Sequence, residues 1–446
     1  MSDAMNQALL LDIATAAVEA CPADQTEAVC VESVQAVTRF AKNVIHQNMA
    51  DRGRELTVRA VVGRRIGVAS GVISTADEAR ALARQAAELA RLARELPDFV
   101  SLPSPQPIPP APETFCCDCA ASAARRAEIV KQVLETAAAR GLKSAGALST
   151  HVSSIAVVNS LGIRASRTLT RAHLHTVMQA EDSAGYAAAE GPSLADTRPS
   201  EVAETAAAKA ELGRKPISLD PRPMTVLFEP VAAAELIEFM AFFGFNALQY
   251  QEQQSFACDL LGQQACAPTF TLTDDGFDPR TYFTPFDFEG VPKRRVELVK
   301  NGVVNALVYD SYTAARAKPP AENTGHALPA PNDFGPAPTN LVVSPGPASK
   351  QELIASIERG LLVSRIHYLN IVHPRQMILT GVTREGTFLI DRGELVAGVR
   401  NLRFTERMVQ ALGRLAGLGR DGELHGHVWL PPLVIEDFTF TSATEF

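Results

Sequence analysis

The sequence predicts an α+β protein of two domains, and three features carry that prediction. Alternating apolar and polar runs interleave with amphipathic helical stripes as far as Leu212. Strand-like runs dominate after Thr225. Between them, Asp220-Pro221-Arg222-Pro223 removes two backbone donors in four residues. The predicted division is an N-terminal α+β domain over 1–219, with an antiparallel sheet and long helices, and a β-rich domain over 220–446. A chain of 446 residues, 46% hydrophobic and 21% charged, has enough apolar surface for such cores.

Taken in order, residues 5–20 form a first helix. Ala28–Val31 and Arg39–Met49 have strand composition. Leu56, Val58, Ala60 and Val62 alternate strictly before Gly63-Arg64-Arg65 turns the chain back into Ile66–Ala69. Thr75 and Glu78 have capping-box spacing, and Leu82, Ala86, Leu89, Ala93 and Leu96 recur at steps of four and three, which predicts a long helix laying that stripe on the sheet. Seven prolines between Pro97 and Pro112 make 97–115 an extended connector. A second helix spans Ser122–Arg140, with Gly141 as a left-handed terminator. Four strand-like runs over 144–180, broken at Ser153-Ser154, Asn159–Gly162 and Thr170-Arg171, predict a meander, and a helix follows over Ser200–Leu212.

Beyond the boundary, Thr225–Phe228 is a strand and Pro230 opens a helix running to about Leu248. Asn301-Gly302 turns a hairpin within Arg295–Tyr309. The Pro-rich loop over 318–338 is long enough to act as a gate. Ser349 and Glu352 cap a further helix, and Met377–Thr380, Thr387–Asp391 and Glu394–Leu402 imply one large second sheet.

A net charge of −8 and a pI near 5.7 give no electrostatic basis for binding nucleic acid or anionic lipid. The runs Arg64-Arg65 and Lys293-Arg294-Arg295 read as exposed strand and turn charges. Asp12 and Glu19 interrupt an N-terminal stretch without a basic leader, and seven cysteines are an odd number, so a cytoplasmic protein with reduced thiols and no membrane span is expected. Cys116-Cys117-x-Cys119 offers three thiolates but no fourth zinc ligand. No nucleophile-elbow, phosphate-loop or dinucleotide motif occurs.

Two His-x-His pairs, His173/His175 and His425/His427, are each spaced to project from one side of a strand and form an alternative metal-ligand set. Glu235 and Glu238 share a helical face, expected to be a solvated stripe or, failing that, an acid–base pair.

Several separated segments resemble the TldD/PmbA metalloprotease family. They are Arg39–Asn43 with Ile45–Asn48, Asn159-Ser160-x-Gly162, Phe286-Asp287-Phe288-Glu289-Gly290-Val291-Pro292, Thr339-Asn340-Leu341 with Gly346, Thr380-Gly381-x4-Gly386, Asn401–Phe404 and Pro432-x-Val434, in family order. The resemblance implies an N-terminal α+β domain, a β-rich C-terminal domain that carries the metal in active members, and cytoplasmic subunits that pair around a peptide-cutting chamber. It also implies His-Glu-x-x-x-His on a helix and a C-terminal cysteine ligand. Here Glu238, Phe239 and Phe243 stand at the motif positions, and the last cysteine is Cys266. The resemblance is therefore to the TldE/PmbA-like branch: a metal-free, non-catalytic chain that binds peptides or unfolded segments, with zinc expected in a catalytic TldD-like partner. Thr324 and His326 lie in a segment similar to the family's Thr-x-Gly-x segment near the chamber, and Glu289 in the Phe-Asp-x-Glu-Gly segment is expected to hold local backbone; these three are the substrate-contact candidates. The alternatives are a stand-alone peptidase using the His-x-His pairs and a homodimeric peptide-binding protein.

Overall fold

The computed structural model describes residues 7–110 and 116–443, and for Cys117 the backbone alone. The first half comprises α1 (Gln7–Ala20), β1 (Gln25–Ala41), β2 (Val44–Val62), β3 (Arg65–Val72), α2 (Ala76–Leu92), α3 (Ala123–Ala139), β4 (Lys143–Asn159), β5 (Arg164–Gln179), β6 (Ala184–Gly191) and α4 (Pro199–Leu212). Its strands form one antiparallel sheet in the order β3-β2-β1-β4-β5-β6. Side chains alternate across a strand, so the sheet has two distinct faces. Ala28, Cys30, Leu56 and Val58 pack under α1 and α2, and Leu148, Val152, Ala172 and Leu174 under α3 and α4. The opposite face turns Val29, Ile155, Val157 and Ala165 toward Phe286 of the second half.

Several sequence expectations need correction. The predicted strand Arg39–Met49 straddles a hairpin turn, because Lys42 and Asn43 both have positive φ, 52° and 60°. Asn43 is held there by tertiary bonds: Nδ2 donates to Leu142 O at 2.8 Å, and Oδ1 accepts from Ser144 N at 2.6 Å. The four runs over 144–180 are two long strands, neither Ser153-Ser154 nor Thr170-Arg171 breaking the ladder, and the alanine-rich β6 was not anticipated.

Helix α2 has the expected capping box at Thr75/Glu78, yet it buries Ala79, Ala83, Ala86, Ala87 and Ala90 and leaves Leu89 exposed. Backbone proximity is the reason. A Cβ on Gly67 would lie 2.2 Å from Ala90 N and 2.3 Å from Ala86 O, so only alanines fit between helix and sheet.

In the second half, β7 (Pro223–Phe228) leads into α5 (Pro230–Gly244) with Pro230 at the first helical position. Two further sheets are present where one was predicted. A six-stranded sheet runs Val303–Val304, Val296–Lys300, Leu272–Asp274, Leu341–Val343, Val428–Leu430, Glu423–His425. A nine-stranded sheet contains β7 beside Leu433–Ala443 and, in parallel, Arg359–Val363. Helix α5 packs between them, against Glu423–His425 and Val428–Leu430 on one side and Ile366–His373 on the other. It ends at Gly244 rather than near Leu248. Asn246 starts a new short helix there, its Oδ1 accepting from Leu248 N at 2.8 Å. No helix among the described residues is long and apolar enough to cross a membrane.

Candidate functional site

Helix α5 sends its motif positions in two directions. Phe239 and Phe243 lie together, ring centroids 6.1 Å apart, and Phe243 meets Phe334 edge to face at 5.3 Å. Phe242 stacks on the same Phe334 at 4.5 Å, so the loop over 318–338 is pinned to α5 by an aromatic plug. Glu238 points into the seam between the halves, where its Oε1 lies 4.0 Å from His427 Nε2.

Glu235 and Glu238 are not the solvated stripe the spacing suggested. Burial pushes each carboxyl up to about 7; Glu238 adds to the effect on Glu235 and Glu190 to that on Glu238, while Arg365 and Arg171 oppose it. Both can exchange a proton near neutral pH.

Glu190 of β6 ties the seam together. It accepts from Arg171 Nη2 at 2.5 Å, Tyr282 OH at 2.8 Å and Gly426 N at 2.7 Å. His173 and His175 do share one face of β5, with centroids 5.2 Å apart. His425 and His427 do not share a strand face: Gly426, at φ 61°, begins the turn between two strands, so His425 bonds Glu423 at 3.0 Å while His427 faces Glu238. Burial lowers the pKa of His173, His427 and His151, and takes His175 down to about 4. These rings are neutral at pH 7. Although the pairs gather on one wall, no three His, Cys, Asp or Glu side chains among the described residues are arranged to hold a metal ion. The alternative ligand set is thus not assembled, because the second pair diverges across a turn.

The donor set at the motif positions does not fit a hydrolytic metal either, since a carboxylate and two packed phenyl rings replace imidazoles and a base. At Cys116-Cys117-x-Cys119, the Cys119 thiol is buried against Pro192 O, and burial pushes its pKa up to about 12; the Cys117 side chain lies outside the described residues.

The three substrate-contact candidates are held by structural bonds. Glu289 bridges Arg59 Nη2 at 2.9 Å to Ser311 N and Oγ at 3.0 and 2.6 Å. His326 is buried, with Nε2 2.9 Å from Asp274 and Nδ1 2.9 Å from Thr324 Oγ1. Asp274 also receives Lys293 Nζ at 2.8 Å, and Lys293 reaches Asn340 Oδ1 at 2.7 Å. Burial alone would raise the Asp274 pKa, but Lys293 and His326 outweigh it and hold the carboxyl well below its usual range. Lys293 is therefore a buried cation rather than the exposed charge its Lys-Arg-Arg run suggested. The middle of the 318–338 segment is anchored by this network.

Sequence reasoning missed Arg167, Arg171, Glu190 and Tyr282. A signal existed for the first two: Arg167, Leu169, Arg171, His173 and His175 recur with period two, a pattern lost once a break was placed at Thr170-Arg171. A pocket of about 250 Å³ lies where β4 and β5 meet the segments around Tyr282–Lys293 and Gly325–Thr339. It shares His151 and Arg171 with an open groove of about 410 Å³ over Gln35–Val37, Met49–Asp51 and Ser149. A further cleft of about 420 Å³ lies elsewhere, beside Arg384, Arg400 and Arg403, and holds none of the candidate residues.

Three family models match in chain order, described as PmbA/TldA metallopeptidase domain 1 over residues 26–90, central domain over 118–213 and C-terminal domain over 221–442. A curated relative, the metalloprotease PmbA homolog of Haemophilus influenzae, is 25% identical over 240 residues, 53% of this chain and 49% of the relative, so the chain spans about half the length of the curated relative it matches. TldE from Thermococcus kodakarensis is similar with a TM-score of 0.87 at 19% identity, over 97% of this chain and 99% of that one. A putative modulator of a DNA gyrase from Thermotoga maritima gives 0.84 at 19% identity, over 94% and 96%. At such identities the structural likeness speaks to the fold.

Proposed function

Because this chain belongs to the TldD/PmbA family, whose PmbA/TldA metallopeptidase domains match most of its length, we propose that it is a TldE/PmbA-like, non-catalytic subunit. In this reading it pairs with a TldD-like chain bearing His-Glu-x-x-x-His and zinc, and helps present peptides or unfolded segments for hydrolysis. One observation carries the proposal: Phe239 and Phe243 occupy motif positions and pack on each other, with Phe243 in turn against Phe334. Zinc hydrolysis needs ligands on one helical face and a base for the metal-bound water. Glu238 alone supplies neither set. What α5 retains is an aromatic cluster pinned to Phe334 and two buried carboxyls. An extended peptide adding to an exposed sheet edge would gain backbone hydrogen bonds without strong sequence demand.

The test is to mix the purified chain with a His-Glu-x-x-x-His partner and follow association and peptide cleavage. A stable mixed pair that cleaves peptides faster than the partner alone, with no turnover by this chain alone, is expected. Turnover by the isolated chain, or a homodimer that ignores the partner, would overturn the proposal.

A further inference from the structure

We propose that the pocket beside Arg167 is a carboxylate-binding subsite that takes the C-terminal residue of a peptide with an apolar side chain. That the ligand is a peptide rests on the subunit reading above; that it is an apolar carboxylate rests on the pocket.

Arg167 projects from β5 into the seam. Its Nε and Nη1 are shielded from solvent and have no hydrogen-bond partner among the described residues, and the neighbour of its guanidinium is the ring of Phe286, with the centroid 5.8 Å away. A guanidinium stays charged in a protein, and an uncompensated charge out of water is unfavourable unless something pairs with it. The other charges on the pocket wall are already committed. Arg171 is paired with Glu190, and Lys293 with Asp274. Asp287 spends both oxygens on backbone donors, Oδ1 on Glu289 N and Val291 N, and Oδ2 on Ala327 N. Among the arginine and lysine side chains on this wall, Arg167 is the one without an ion-pair or hydrogen-bond partner among the described residues. His151 Nε2 and Arg171 Nε, both on the wall, are likewise shielded and unpartnered among the described residues.

The remaining wall is apolar, including Ile155, Leu169, Phe288 and Leu328. A bare phosphate would leave that surface unfilled, whereas an aliphatic residue ending in a carboxylate matches both the charge and the wall. The volume of about 250 Å³ exceeds the ~150 Å³ of an engineered cavity that holds benzene, so one leucine-sized residue fits. The shared wall of His151 and Arg171 places the pocket next to the open groove, where the preceding peptide residues would lie.

The experiment is calorimetric titration of the full chain, without any partner, using N-acetyl-leucine, N-acetyl-leucinamide and inorganic phosphate. The acid should bind on the order of 10-fold or more tightly than the amide, because only the acid forms charge-assisted bonds. Arg167→Met should abolish acid binding and raise the melting temperature, since it removes an unpaired, partly shielded charge; an arginine with a purely structural partner would lower it on substitution. Equal binding of acid and amide, no binding of the acid, phosphate binding tighter than the acid, or unchanged acid affinity in R167M would each overturn the proposal. Should R167M not fold, the acid–amide comparison on the unaltered chain still decides. Since no partner is present, an inactive mixed pair would defeat the subunit reading and leave this result standing.

Discussion

Two glutamates three residues apart on a helix carry the same sequence signal whether they face water or a protein seam, and at Glu235 and Glu238 the seam decides. A carboxyl whose folded pKa is raised holds its proton more tightly in the native state. The stability this contributes is complete below the ordinary value of 4.5 and is lost as pH rises through about 7. The gap between those values caps the effect at ~3 kcal/mol. With the Glu238 side chain 33% exposed, solvent screening reduces the expectation to about 1 kcal/mol. Glu238→Gln should thus be about 1 kcal/mol more stable than the unaltered chain at pH 8 and indistinguishable from it at pH 4, by urea denaturation. An equal gain at both pH values would contradict the assignment. Phe243 was legible as a lost ligand and Phe239 as a lost base; the packing of Phe243 on Phe334, some 90 residues away, was not.

Elements announced themselves through their ends more reliably than through their faces. The caps at Thr75/Glu78 and Ser349/Glu352 and the Asn301-Gly302 turn stand where residue identity placed them, because each depends on neighbours within four positions. The buried face of α2 did not follow its leucines, because close approach to Gly67 admits only small side chains. Ala86→Leu should therefore cost about 1–3 kcal/mol through overpacking. Leu89→Ala, at an exposed position, should stay within ~0.5 kcal/mol. Thermal and urea unfolding of the two variants separates these faces; comparable losses would restore the leucine stripe. The Lys42-Asn43 turn escaped notice for a related reason, since the bonds that hold Asn43 come from Leu142 and Ser144.

Across the whole molecule, the two halves are joined by charged residues that no local window connects. Glu229, between β7 and α5, is held by Lys209 of α4 at 2.6 Å and by Lys350. Burial would raise its pKa, but the two ammonium groups outweigh it and hold the carboxyl below the usual range. This contribution is present above pH 4.5 and lost as pH falls below that value. Lys209→Ala should cost about 3 kcal/mol at pH 7 by leaving a buried carboxylate half-paired, and the penalty should shrink in acid. A loss independent of pH would rule out the ion pair as its cause. By itself the sequence determined the α+β class, the family and the loss of both helical histidines and the catalytic glutamate at Glu238, Phe243 and Phe239, because these depend on which residues stand at short, fixed spacings. Only the tertiary structure decided which carboxylates are desolvated, that Lys293 is buried, that His425 and His427 diverge, and that Arg167 lines a pocket without an ion-pair partner among the described residues. Those outcomes depend on burial and on partners brought together from far apart in the chain, as Gly426 N is brought to Glu190 across 236 positions.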